Sequence, residues 1–308
     1  MKKAIITKED EKYIVDSYLK GVSILGLTKE IHTNGSRIKD VLINNNISIR
    51  KRGEQVDKQK YITNKKYKYN ENFFETIDTE EKAYWLGFIY ADGNVYFPKS
   101  DSGNSKGGRV EITLKKEDSY HLYNFVSAIN GNLPLKEKTI KLNGKTYYAT
   151  RVSISSVKMA SDLHNIGCVA NKSLILKFPS NFPKELLSNF IRGYFDGDGC
   201  VHFYPEKKCK SFGMSILGTL DFLNGLKDVL LENNIDSVSI FRKKNNVAYD
   251  LHVYGIDNLN RLFNFLYSNN CFYIERKYKI FTKALSYYNK DYYRSELCKM
   301  VSQMDWCD

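Results

Sequence analysis

Apolar residues recur at helical spacing through the first fifty positions, and a longer pattern then runs through the rest of the chain twice. Ile14, Val15, Tyr18 and Leu19 form a stripe that predicts a helix over residues 8–20, ended by Gly21. Two shorter helices are predicted over 24–31 and 36–44, joined by the turn-forming run His32-Thr33-Asn34-Gly35. From about residue 73 each half opens with a helix that ends in an acid and a glycine. The first is Trp85-Leu86-Gly87-Phe88-Ile89-Tyr90-Ala91-Asp92-Gly93, and the second is Ile191-Arg192-Gly193-Tyr194-Phe195-Asp196-Gly197-Asp198-Gly199. Strand alternation follows at Val95 and Phe97, and again at Val201 and Phe203. A second strand is predicted over 109–114 in one half and 212–217 in the other. Next comes an amphipathic helix marked by Leu122, Phe125 and Ile129, or by Leu223, Leu226 and Leu230. Two more strands, near 135–142 and 147–155 or 237–243 and 248–254, lead to closing helical segments.

The order αββαββα thus occurs twice, which is an internal duplication. The fold class expected is α+β: two pseudo-symmetric αββαββα repeats preceded by a small all-α module. The boundaries expected are 1–52 for the front module, 53–72 for a basic linker, 73–180 and 181–295 for the repeats, and 296–308 for a tail.

The two opening helices carry small residues at matched places. Gly87 and Ala91 are four apart, as are Gly193 and Gly197, so each pair lies on one helical face. A glycine inside a helix costs about 1 kcal/mol, and close approach of two backbones is a reason to bear that cost. Such an approach sets Asp92 and Asp198 side by side, each at the partially negative end of its helix. Two acids there repel, and a bound divalent cation resolves the repulsion. Oxygen ligands suit Mg2+ or a similar ion such as Mn2+, and acids that hold metal beside a phosphodiester suit its hydrolysis.

Charge sharpens the choice of partner. The 308 residues include 47 Lys and Arg against 35 Asp and Glu, for a net charge of +12. That excess favours a polyanionic partner, nucleic acid or acidic membrane. No apolar run reaches the length of a membrane span, and Ala4-Ile5-Ile6 is too short for the core of a signal peptide, so a membrane role is not expected. The six cysteines form no C-x-x-C pair, which argues for reduced thiols in a cytoplasmic protein and against a zinc site. The cell expected is bacterial or phage-infected. Residues 1–72 alone hold 16 basic and 9 acidic residues, including the run Arg50, Lys51, Arg52, Lys58 and Lys60. This front segment resembles the helix-turn-helix of site-specific recombinases and of many phage DNA-binding proteins. The resemblance implies that its third helix, with Ser36, Arg37 and Lys39, enters the major groove, while Arg50, Lys51 and Arg52 add DNA contacts.

The paired opening helices resemble the signature helices of LAGLIDADG homing endonucleases in their single-chain, two-repeat form, over roughly residues 73–295. The first copy departs from the name pattern, with Trp85, Leu86 and Tyr90 in place of Leu, Ala and Asp. The second keeps both acids, Asp196 and Asp198. Only the last acid is shared, so the metal role is assigned to Asp92 and Asp198. Asp196, two positions away, is expected to point elsewhere.

The resemblance implies a site-specific double-strand DNA endonuclease that acts as a monomer in intron homing, with two sheets forming a DNA-binding saddle in the major groove. It also implies a lysine near each metal that supports the attacking water. Lys172 matches that place in the first half, and Lys277 in the second, with Arg276 its rival. Alternation puts Val110, Ile112, Leu114, Val152, Ile154, Leu251 and Val253 inward. It leaves Arg109, Glu111, Thr113, Lys115, Arg151, Ser153, Ser155, His252 and Tyr254 outward, as base-edge and phosphate contacts require. Two alternatives stay open: a cleavage-inactive DNA-binding regulator, and an RNA-binding intron maturase of the same fold.

Overall fold

The computed structural model describes residues 6–50, 67–98, 107–169, 172–205, 211–244, 248–268 and 272–303. The chain divides into two compact units, Met1–Tyr67 and Lys68–Asp308.

In the first unit, α1 (Lys8–Leu19), α2 (Ile24–Glu30) and α3 (Gly35–Asn44) each begin at a side-chain cap. Thr7 and Asp10 form a reciprocal capping box, Ser23 accepts from the Gly26 amide, and Asn34 from the Arg37 amide. Ile14, Tyr18, Leu27, Ile38, Val41 and Leu42 form the core. The predicted α1 stripe is trimmed at one end: Leu19 is 65% exposed, because the i, i+4 pair Ile14 and Tyr18 carries the buried face. Arg50 is also placed differently from the expectation. Its guanidinium donates to the Tyr18 and Val22 carbonyls, both at 2.8 Å, and lies 3.9 Å above the Tyr18 ring. It ties the end of the segment to α1 instead of standing free for phosphate. Lys51 and Arg52 lie outside the described residues.

The second unit starts earlier than the sequence suggested. The Lys68 amide donates to Asn132 Oδ1 at 2.7 Å and the Asn70 amide to the Ile129 carbonyl at 2.7 Å, so residues 68–72 belong to this unit and not to a linker. The first repeat runs α4 (Glu80–Asp92), β1 (Gly93–Tyr96), β2 (Arg109–Lys115), α5 (Tyr120–Ala128), β3 (Lys136–Leu142), β4 (Lys145–Ser155) and α6 (Val157–Ile166). The second runs α7 (Leu187–Asp198), β5 (Gly199–Tyr204), β6 (Ser211–Gly218), α8 (Leu220–Glu232), β7 (Val238–Arg242), β8 (Tyr249–Val253) and α9 (Ile256–Tyr267). A further helix, α10 (Glu275–Gln303), passes straight through the boundary expected at 295.

Each repeat makes one four-stranded antiparallel sheet, of order β1-β2-β4-β3 and β5-β6-β8-β7. The strand alternation holds on both. Val110, Ile112, Val152, Ile154, Leu251 and Val253 are at most 1% exposed, while Arg109, Lys115, Ser155 and Tyr254 are exposed and their outward neighbours half-buried. Helices cover the inner faces: α6 packs on β1 and β2, and α8 on β7 and β8. At the outer face, Glu111 accepts from Ser153 at 2.9 Å and pairs with Arg151 at 3.5 Å, so these three candidate contacts are already cross-linked between β2 and β4.

Candidate metal and DNA-cleavage centre

The site begins with the close packing of α4 on α7. A methyl group built on Gly87 would stand 1.9 Å from the Phe190 carbonyl oxygen, and one on Gly193 would stand 2.0 Å from that of Tyr84. Tyr84 precedes Gly87 by three residues and Phe190 precedes Gly193 by three, so the two contacts are reciprocal. One turn on, a methyl on Gly197 would come within 2.2 Å of Ala91 Cβ. At Gly87 and Gly193 backbone meets backbone, at Gly197 the Ala91 methyl fills the gap, and the helices end together.

Both helices turn directly into strands. Gly93 (φ −77°, ψ 153°) and Gly199 (φ −86°, ψ 155°) are extended, not left-handed. What they lack is a Cβ, which would meet the Ile89 carbonyl oxygen at 2.6 Å or that of Phe195 at 2.5 Å. The acid before each glycine is therefore held at the exact helix end, where the chain doubles back.

Asp92 and Asp198 line one cleft of about 320 Å3, together with Lys172, Ser173, Tyr90 and Tyr194. The Asp92 residue keeps an open surface toward the cleft, yet the surrounding walls strip water from its carboxyl. That loss of water and the charge of Asp198 push its pKa up to about 6, against the pull of Lys277 and Lys172. Asp198 is also raised by burial, and is opposed by Lys172, Lys277 and a hydrogen bond from Tyr194. The single Tyr194 hydroxyl proton is shared between Asp198 and the Leu217 carbonyl, 3.0 Å away. Tyr194 precedes Asp198 by four residues on one helix face, a spacing that would have disclosed it in the sequence.

The donor set fits a hard dication. Two crowded carboxylates are relieved by positive charge, and the cleft has room for water and phosphate oxygens. Among the described residues no three His, Cys, Asp or Glu side chains converge, so the remaining ligands would come from solvent and substrate.

The two lysines differ. Lys172 lines the cleft and donates to the Ala91 carbonyl. Lys277 is 5% exposed, and its ammonium donates to the carbonyls of Phe195 (2.8 Å), Asp196 (2.6 Å) and Gly197 (3.0 Å). It thereby neutralises the negative end of α7, and burial lowers its pKa. Its three N–H donors go to backbone, so the water-supporting role implied for it is not what this geometry presents. Arg276, the rival, turns away to Asp118 at 3.1 Å.

Asp196 faces the protein interior. It is 1% exposed, and its Oδ2 accepts from the Tyr84 hydroxyl at 2.7 Å and the Ile274 amide at 2.8 Å. The Tyr84 hydroxyl also lies 2.8 Å from His121 Nε2. Burial pushes Asp196 up to about 6 and His121 down to about 4. Nothing in the sequence pattern pointed to this network, because its members come from four separate elements.

On the second sheet, His252 stacks on His202 at 6.0 Å and on Tyr254 at 5.6 Å. In the first unit, Lys39 is exposed and Arg37 half-buried on α3.

Residues 185–266, from just before α7 to the last turn of α9, match the family model described as a LAGLIDADG-like domain. A search of curated proteins gives no match. Among solved structures the chain is similar to mesophilic variants of the homing endonuclease I-DmoI, at 22% identity over 62% of this chain and 97% of that one, with a TM-score of 0.40. It is similar to the meganuclease I-SmaMI bound to uncleaveable DNA at 14% identity, over 68% and 92% of the two chains, with a TM-score of 0.46. It is also similar to the I-LtrWI LAGLIDADG homing endonuclease bound to target DNA, at 12% identity, over 74% and 98%, with a TM-score of 0.46.

Proposed function

We propose that this protein is a site-specific endonuclease that cuts both strands of DNA with Mg2+ or Mn2+ held by Asp92 and Asp198. The observation that carries the reading is the meeting of those two carboxylates at one cleft, at the ends of helices locked by Gly87 and Gly193. A divalent cation bound there would lower the pKa of a bound water and offset charge on the leaving oxygen. The chain's own residues do the rest. Asp92 and Asp198 supply the charge that draws the cation. Lys172 faces the cleft as a positive charge for phosphate, and Lys277 holds the end of α7 so that Asp198 keeps its place. The outward sheet residues Arg109, Thr113, Lys115, His252 and Tyr254 bind DNA, and α3 of the first unit adds Arg37 and Lys39. Since one chain carries both helices, it acts as a monomer. A role in intron homing is the setting that the resemblance to homing endonucleases implies, and the match of residues 185–266 to a LAGLIDADG-like domain supports it.

The test is incubation of the purified protein with Mg2+ and duplex DNA carrying the flanks of its own gene, followed by sequencing of the ends. Discrete paired breaks at one sequence are expected, and they are lost with EDTA. Binding without any breaks, in Mg2+ or Mn2+, would overturn the reading.

A further inference from the structure

The residue two before each metal acid is Tyr90 in α4 and Asp196 in α7. Their side chains differ in size, charge and hydrogen-bonding sense, yet each reaches the segment that carries its own repeat's lysine. The Tyr90 hydroxyl donates at 2.5 Å to the Ile166 carbonyl, at the end of α6, six residues before Lys172. Asp196 accepts at 2.8 Å from the Ile274 amide, three residues before Lys277. Each lysine then returns to the same helix, at the residue between that position and the metal acid. Lys172 donates to the Ala91 carbonyl, and Lys277 to the Gly197 carbonyl at 3.0 Å. Each repeat so contains a closed loop of contacts: helix side chain, segment backbone, lysine, helix carbonyl. Both anchors are 1% exposed, where a hydrogen bond is costly to leave unmade.

We propose that Tyr90 and Asp196 are positioning residues, each holding the lysine of its own repeat on the helix carbonyl next to that repeat's metal acid, with the donor in one repeat and the acceptor in the other doing the same work. The assignment builds on the endonuclease reading above, but the clamp itself is a property of the DNA-free protein.

The test uses the full-length, metal-free protein and mild acetylation with acetic anhydride, read lysine by lysine by mass spectrometry. Tyr90→Phe removes only the hydroxyl and leaves the ring in its core position. It is expected to raise labelling of Lys172 about fivefold, the effect of one lost hydrogen bond on local opening, with Lys277 unchanged. Asp196→Ala is expected to do the reverse, and Asp196→Asn, which keeps an acceptor oxygen, restores protection of Lys277. Should Asp196→Ala not fold, Tyr90→Phe and Asp196→Asn still decide the matter. Labelling of both lysines rising together in either variant, or Lys172 staying protected in Tyr90→Phe, would overturn the proposal. On DNA, Tyr90→Phe and Asp196→Ala are expected to slow opposite strands, so nicked intermediates of opposite polarity accumulate. If the wild type never cuts yet the labelling follows the expected crosswise pattern, the nuclease reading falls and the clamp stands.

Discussion

Asp92 shows how a single carboxyl can be set against its own fold. Its ordinary pKa is raised to about 6 by loss of water and by Asp198, so the folded state disfavours its charge. The resulting penalty is full above pH 6, shrinks as pH falls, and vanishes only below the ordinary value of 3.8, where the group is protonated in both states. Asp92→Asn removes the charge and keeps the shape. In EDTA at pH 7 the variant is expected to melt about 2–4 °C above wild type, the shift of roughly 1 kcal/mol in a unit of this size, and the gain should shrink between pH 6 and pH 4. In Mg2+ the same variant, like Asp198→Asn, should bind DNA normally but lose detectable cutting of both strands, measured on supercoiled plasmid carrying the site. Retained cutting by Asp92→Asn would remove it from the site. At this scale the sequence was legible where spacing spoke: the shared last acid singled out Asp92 and Asp198, and the two do line one cleft. It named Arg50 and Lys277 but not where their charges end, because whether a long basic side chain ends in water or on backbone carbonyls depends on elements distant in the chain.

Elements were the most legible level. Periods of 3.6 and 2 located all seven elements of each repeat, since each segment has one buried face and the sheets' alternation leaves no freedom of register. Less legible were the borders. Residues 68–72 are polar but hydrogen-bond to the turn after α5, and α10 continues past 295 on a face whose pattern is weak. The crossing of α4 and α7 is where an element's identity rests on absent atoms. Gly87→Ala puts a methyl 1.9 Å from a backbone carbonyl that cannot rotate aside. The helices must separate, and a loss of about 3 kcal/mol or more in urea unfolding is expected. A conserved melting curve in Gly87→Ala would mean that the helices pack less closely than the structure has them.

For the whole molecule, the division after Tyr67 leaves every described residue that lines the cleft in the second unit. Removing residues 1 to about 60 should therefore leave cutting chemistry intact at high protein concentration. Binding should weaken, and the slope of log affinity against log salt should flatten, because each lost phosphate contact removes about 0.9 from it. Filter binding between about 50 and 200 mM salt measures both, and loss of all cutting in a folded truncation would place part of the site in the first unit.

Covalent joining of the two repeats has a further consequence at the sheets. The helix interface is nearly symmetric, with Gly87 against Phe190 and Gly193 against Tyr84, but the outer faces have diverged. One presents the ion-paired set Arg151, Glu111 and Ser153, and the other a ladder of imidazole and phenol rings, His202, His252 and Tyr254. Matching protomers would be bound to read inverted copies of one half-site. This chain is not, and for the nuclease proposed here the sequenced cut sites should show left and right arms with unrelated base preferences around a shared centre.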